Sequence, residues 1–265
     1  MDWNNLSTYF ENIPKGFVSD LVVDSEFPWS PLQHLRMHIK TFFSNRLATG
    51  NIEGDKTVLT GIDGKLIEGA YFITRTSILT EPFVDLELKI YIGAGCLLEA
   101  GSTIKDHSII EDRCEVRQGA YIRGCVFVGE GSVVGHTTEM KNSVFIRHVE
   151  AGHFAYIGDS IVGSYVNLGA GTKISNLEFR SLNAKKNEEF PEIPFKVGRE
   201  RVQSGLSKFG AIIGDGCETG CNSVLCPFVL LEPKCWVMPC HCVTKGIYSK
   251  GSILRPGRSK TKSFS

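Results

Sequence analysis

The sequence has no long apolar run. Nowhere do about 18 consecutive apolar residues occur, so no membrane-spanning helix is expected. It has no excess of charge: 29 basic and 29 acidic residues leave a formal net charge of zero, with no electrostatic footprint for nucleic acid. Residues 1–30 lack a basic stretch followed by an apolar one, so no secretory signal is read there and a cytoplasmic location is expected. A disulfide framework is missing as well. The nine cysteines are odd in number and come without a secretory signal, which makes reduced, buried thiols the expectation. Cys235, Cys240, His241 and Cys242 cluster in sequence, but their spacing matches no familiar zinc finger, and no metal is expected. What remains is a globular composition, 42% hydrophobic and 22% charged, in 265 residues that suffice for one large repeat domain or two ordinary ones.

What is present is a period. From Ile92, steps of six reach Leu98, Ile104, Ile110, Val116, Ile122, Val128, Val134, Met140 and Ile146, every one aliphatic or Met. A helical repeat of 3.6 does not sustain such a series, whereas a parallel β-helix with three six-residue units per coil does. The anchors then stack inward as ladders. Gly93, Gly129, Gly135, Gly158, Gly163 and Gly169 each follow an anchor, as expected of tight turns whose backbone angles favour glycine. Five-residue steps from Gly152 to Ile157 and from Ile157 to Val162 interrupt the period. It resumes at Leu168 and Ile174, and again from Ile213 through Thr219, Leu225, Leu231, Val237 and Val243. Between these blocks, 177–207 has no period, is rich in charge and holds Pro191 and Pro194, which reads as a functional or a disordered loop. Ahead of the repeats, 31–45 reads as an amphipathic helix with Leu32, Leu35, Ile39 and Phe42 near one face, expected to cap the open end of the prism.

Candidate chemistry concentrates between Arg123 and Asn176. His153 sits at the break in period, where backbone irregularity can re-aim a side chain. A neutral imidazole there suits a general base, and a satisfied surface histidine is the plainer alternative. Arg123 and Lys141 are 18 residues apart and so share a face of adjacent coils. Stacked cations need an anion between them, either a ligand phosphate or carboxylates such as Glu139. His148 and His153 are spaced as zinc ligands in some trimeric β-helix hydratases, but neither His136 nor His107 falls where a third ligand is needed.

These residues occur within specific text: Glu139-Met140-Lys141, Ala151-Gly152-His153, Tyr156-Ile157-Gly158-Asp159, and Val166-Asn167-Leu168-Gly169-Ala170-Gly171-Thr172, with Lys208-Phe209 and Ile212-Ile213-Gly214-Asp215 after the loop. The run resembles the acetyltransferase domain of the bifunctional N-acetylglucosamine-1-phosphate uridyltransferase / glucosamine-1-phosphate acetyltransferase family, over roughly the C-terminal two-thirds of the chain. The resemblance implies the left hand of the β-helix, a homotrimer, and acetyl-CoA-dependent N-acetylation of an amino-sugar phosphate, with glucosamine 1-phosphate foremost. It implies His153 as base with Glu139 assisting. Arg123, Lys141 and Lys208 would hold phosphate, and Tyr156, Asn167 and Asn176 would orient the sugar. Ala170, Cys221, Pro239 and Arg255 would face acetyl-CoA.

The sequence also departs from that family. No Gly-rich nucleotide-binding signature precedes the helix, so synthesis of a UDP-sugar is not expected. The loop before Lys208 is much longer than the family's, and Cys221 and Pro239 stand where the family has Ser and Ala. The domain reading is an N-terminal segment with its helix at 1–51, a β-helix at 52–248 interrupted by 177–207, and a basic arm at 249–265. A different acyl donor or amino sugar, or a non-catalytic sugar-phosphate-binding scaffold, are the alternatives.

Overall fold

Strands of two to four residues, too short to stand alone, turn at tight corners and pair with the coil before and after them. The result is a left-handed parallel β-helix of about nine coils with three faces, each a nine-stranded sheet. The computed structural model describes residues 3–23, 25–48, 64–67, 69–197 and 200–256. Face A includes Thr103–Lys105, Tyr121–Ile122, Glu139–Lys141, Tyr156–Gly158 and Lys173–Ile174. Face B includes Val133–His136, Glu150–His153, Asn167–Leu168, Glu218–Thr219 and Trp236–Val237. Face C includes Ile90–Ile92, Val126–Val128, Ser143–Phe145 and Ile161–Val162. The chain passes from C to B to A in each coil.

The anchor ladder is the core. Ile92, Leu98, Ile104, Ile110, Val116, Ile122, Val128, Val134 and Met140 are all fully buried in one cluster that runs the length of the prism. Burying such a side chain contributes about 1.5–3 kcal/mol. Thr219, the polar anchor, is satisfied inside by the Thr172 hydroxyl at 2.8 Å and the Gly169 N–H at 3.1 Å.

The tenth anchor is corrected. Phe145, not Ile146, points into the prism, while Ile146 joins the packing outside face C. Val128 pairs with Phe145, and Val134 with Ala151. The first five-residue step therefore falls between Met140 and Phe145, and Ala151 to Ile157 is an ordinary step of six. His153 does not lie at a break in period. The glycine reading also changes. Gly129 and Gly135 have ordinary backbone angles, and the left-handed ones fall largely on other residues, His107, Thr137, Phe154 and Asp159 among them. Glycine is required at 135 because a Cβ there would stand 1.9 Å from the carbonyl oxygen of Gly152 in the next coil.

The helix lies elsewhere than expected. Three α-helices are described, α1 (Phe17–Val22), α2 (Ser30–Ala48) and α3 (Leu182–Lys186). Leu32, Leu35, Ile39 and Phe43 of α2 pack with the outward residues of face C, Tyr91, Ile109, Phe127, Val144, Ile161, Ile212 and Leu230. Trp29 meets Phe228 at one end and Phe42 meets Tyr91 at the other, with ring centroids 5.0 and 5.8 Å apart. The helix therefore runs along the flank of the prism instead of across its end. Face C strands are apolar at inward and outward positions alike, and such a face has to be covered. At the N-terminal end, Ala70–Ile73, Ser77–Ile78 and Phe83–Asp85 form a coil that runs backwards, antiparallel to the first forward coil.

The expected arm begins later than residue 249. Ile253–Leu254 pairs in parallel with Trp236–Val237, so the solenoid continues through Leu254. Residues 52–63 of the expected β-helix, and Arg258, Lys260 and Lys262, lie outside the described residues. The loop 177–207 is ordered over its described part. It carries α3 and the hairpin Phe195–Val197/Glu200–Val202, and Phe195 is buried among Trp3, Trp29 and Phe228.

Candidate active site

The corner between faces B and A carries one column of residues. The carbonyls of Gln118, His136, His153, Ala170 and Cys221 each accept an N–H from the next coil, at 2.8–3.1 Å. The residues in register are therefore Gln118, His136, His153, Ala170, Cys221 and Pro239, one per coil. His136 and His153 are paired directly. Coils are spaced as sheet strands are, about 4.8 Å apart. Three of the four residues assigned to acetyl-CoA thus continue the column that holds His153, toward the C-terminal end. The fourth, Arg255, directly follows Ile253–Leu254 and is exposed one coil beyond Met238, whose N–H bonds the Leu254 carbonyl at 2.9 Å.

His153 is exposed, and among the described residues its ring has no hydrogen bond or ion pair; the Phe154 ring lies 6.4 Å away. Glu139 is across the corner on face A, bonded to Arg123 at 2.6 Å. That bond holds the Arg123 guanidinium in its charged form. No side-chain contact joins His153 to Glu139 among the described residues.

Face A collects most of the sugar-side candidates. Glu139 is in register with Tyr156, and the Tyr156 hydroxyl donates to the Asn176 amide oxygen at 3.3 Å. Burial first, then the carboxylates of Asp159 and Glu139, raise the Tyr156 pKa, so its hydroxyl remains a donor. Lys141 meets Asp159 at 3.4 Å. The stacked cations Arg123 and Lys141 are thus each balanced by a carboxylate. Asp159, 5% exposed, also accepts from Asn142 at 2.7 Å and from the Asn176 amide. It organises the cluster, although the sequence reading gave it no role; its place in the text Tyr156-Ile157-Gly158-Asp159 was the available signal. Lys208 is brought alongside by the loop's closure, because the Phe209 N–H bonds the Asn176 carbonyl at 2.9 Å.

Asn167 stands apart. It projects from face B, donates to Glu218 at 3.0 Å, and helps line a depression of about 450 Å³ with His148, Glu150 and Tyr165. The cysteines of the C-terminal cluster diverge: Cys235 is buried inside the prism, while Cys240 and Cys242 are exposed. No helix among the described residues is long and apolar enough to cross a membrane.

Known proteins share this stretch of sequence. The profile of the GMPPB C-terminal domain family matches residues 104–191. A bifunctional sugar-1-phosphate nucleotidylyltransferase/acetyltransferase of Sulfurisphaera tokodaii is 32% identical over 168 residues, covering 57% of this chain and 40% of the relative. The bifunctional protein GlmU of Methanocaldococcus jannaschii is 30% identical over 136 residues, or 51% of this chain and 31% of its own length. GlmU of Rippkaea orientalis is 29% identical over 165 residues, 57% of this chain and 31% of its own. The resemblance read from the motifs is thereby shown for about half of the chain. The chain spans about a third to two-fifths of the length of these relatives.

Proposed function

From this likeness to bifunctional nucleotidylyltransferase/acetyltransferases we propose that the protein is an acetyl-CoA-dependent N-acetyltransferase of an amino-sugar phosphate, with glucosamine 1-phosphate as substrate, acting in the cytoplasm in the supply of UDP-N-acetylglucosamine for the cell envelope. The observation that carries the proposal is the corner column, in which an exposed imidazole is followed, coil by coil, by Ala170, Cys221 and Pro239, with the polar cluster of face A just around the corner.

In this reading Tyr156, Asn176 and Lys208 position the sugar phosphate on face A so that its amine reaches the corner. His153 accepts a proton from the nitrogen as the amine attacks the thioester carbonyl. The C–N bond forms, the C–S bond breaks, and the coenzyme thiol departs with a proton. No covalent enzyme intermediate is needed, and alignment supplies much of the acceleration. Glu139, across the corner and tied to Arg123, assists His153 in its role as base. Asn167 lies on face B and makes no side-chain contact with Tyr156 or Asn176 within one chain. A site that uses all three needs a second copy, which supports the homotrimer.

A thiol-release assay with acetyl-CoA and glucosamine 1-phosphate tests the proposal. Turnover that requires both substrates is expected, and its absence across several acyl donors and amino sugars would overturn it. The second reading, a non-catalytic sugar-phosphate-binding scaffold, is favoured by the His153 ring, which has no hydrogen-bond partner among the described residues to orient it as a base. Ligand binding without thiol release would identify that case.

A further inference from the structure

Two pairs among the cations of face A and its loop are not equivalent. Arg123 and Lys141 are neutralised by Glu139 and Asp159. Lys208 and Arg180 have no carboxylate partner among the described residues; both are set on the ring of Phe190 instead. The Arg180 guanidinium carbon lies 4.1 Å from the ring centroid and the Lys208 Nζ 4.8 Å from it. Arg180 is fixed further by donating to the Glu189 carbonyl at 3.0 Å. Three of the acidic residues near in sequence are engaged elsewhere. Glu178 pairs with Lys245, Glu189 accepts from the Asn187 amide at 3.3 Å, and Glu192 accepts from the Gly205 N–H at 3.0 Å.

Two like charges held on one aromatic ring repel each other, and attraction to the ring only partly offsets that. An anion between them removes the repulsion, and a phosphate accepts from both, with a guanidinium able to bind it through two donors. The pair also adjoins the sugar-side cluster along the chain, because Lys208 is next to Phe209, whose N–H bonds the backbone carbonyl of Asn176. Arg180 and Phe190 belong to the long loop, so the loop itself brings the second cation.

We propose that Arg180 and Lys208, held on the ring of Phe190, form a clamp on the phosphate of the sugar substrate. The proposal rests on the sugar-phosphate reading given above and assigns Arg180 as an additional substrate-binding residue. Phe190 is a positioning residue that acts through both cations.

Isothermal titration of the full chain with glucose 1-phosphate, which has the phosphate but no amine, separates this from the acetyl-transfer proposal. Arg180→Met should weaken glucose 1-phosphate binding about tenfold or more, the loss expected for one charge-assisted contact. It should also flatten the salt dependence of binding, while coenzyme A binding and the melting temperature are unchanged. Phe190→Ala should weaken the same ligand, and Phe190→Trp should restore it. Unchanged affinity in Arg180→Met alongside lost affinity in Lys141→Met would overturn the clamp, as would a loss confined to coenzyme A or a wild-type chain that does not bind glucose 1-phosphate. Binding that behaves as expected without thiol release would leave the clamp standing and sink only the catalytic proposal.

Discussion

An imidazole that serves as a base must be open to the substrate yet held in place. His153 meets both conditions through its backbone: it ends the strand Glu150–His153, is paired with His136, and its carbonyl accepts the Gly171 N–H at 2.9 Å. Its side chain contributes nothing to the anchor ladder. His153→Ala should therefore leave the melting temperature within a degree or so while lowering kcat by about 10²–10⁴, the usual loss for a general base. Near-normal turnover would rule His153 out. At this scale the sequence was legible where chemistry fixes a residue type and less so where packing decides. Phe145 and Ile146 are adjacent, apolar and both buried, so only the cover provided by the flanking helix determines which of them enters the prism. The apparent break at His153 arose from that ambiguity. Asp159 was overlooked for a related reason, since its partners Lys141, Asn142 and Asn176 converge only when three coils are stacked.

Elements here are defined by their neighbours more than by themselves. Two-residue strands such as Asn167–Leu168 exist only because the coils on either side pair with them. The six-residue period is therefore read easily, while the reason for glycine after an anchor is not. It lies in the closeness of the next coil. Gly135→Ala would place a Cβ against the backbone of Gly152, which cannot swing aside as a side chain would. A loss of about 1–3 kcal/mol is expected from such overpacking, measurable as a lower urea midpoint with an unchanged slope. Substitution at Gly16, where nothing lies within 4 Å of an added Cβ, tests a different cost, because its φ of 117° is strained for any other residue. The flanking helix was found from its own pattern but misplaced, because the apolar outward residues of face C that receive it, Ile109, Phe127, Val144 and Ile161, are spaced by whole coils and not by any local period. The long loop likewise reads as irregular in sequence, yet Ile193 and Phe195 are buried against the same flank.

At the scale of the whole molecule, the candidate residues are divided between face A, the corner and face B, and the proposed site would take Asn167 from a second copy. Light scattering should give a mass close to three chains at micromolar concentration; a mass near one chain would count against every site that needs Asn167 beside Tyr156. The C-terminal end poses the other question of this kind. The chain is neutral overall, yet 245–265 contains Lys245, Lys250, Arg255, Arg258, Lys260 and Lys262 and no acidic residue. Part of that charge is already committed to the fold, since Lys245 pairs with Glu178 and bonds the Pro194 carbonyl at 2.8 Å, and Lys250 pairs with Glu11 at 2.6 Å. Among the described residues of the segment, Arg255 is the cation left exposed without a carboxylate partner, and it adjoins the end of the column assigned to acetyl-CoA. The informative truncation removes 257–265. Cutting at 251 would also delete Ile253–Leu254 and expose the last coil, mixing a folding defect with a binding one. Without 257–265, and further with Arg255→Ala, the KM for acetyl-CoA should rise several-fold while that for the sugar phosphate moves much less. Contacts to phosphate from exposed side chains are screened by salt, so the wild-type KM for acetyl-CoA should climb with ionic strength and the doubly altered protein should show a shallower climb. Acetyl-CoA kinetics that are indifferent to both changes would remove Arg255 and the arm from the site.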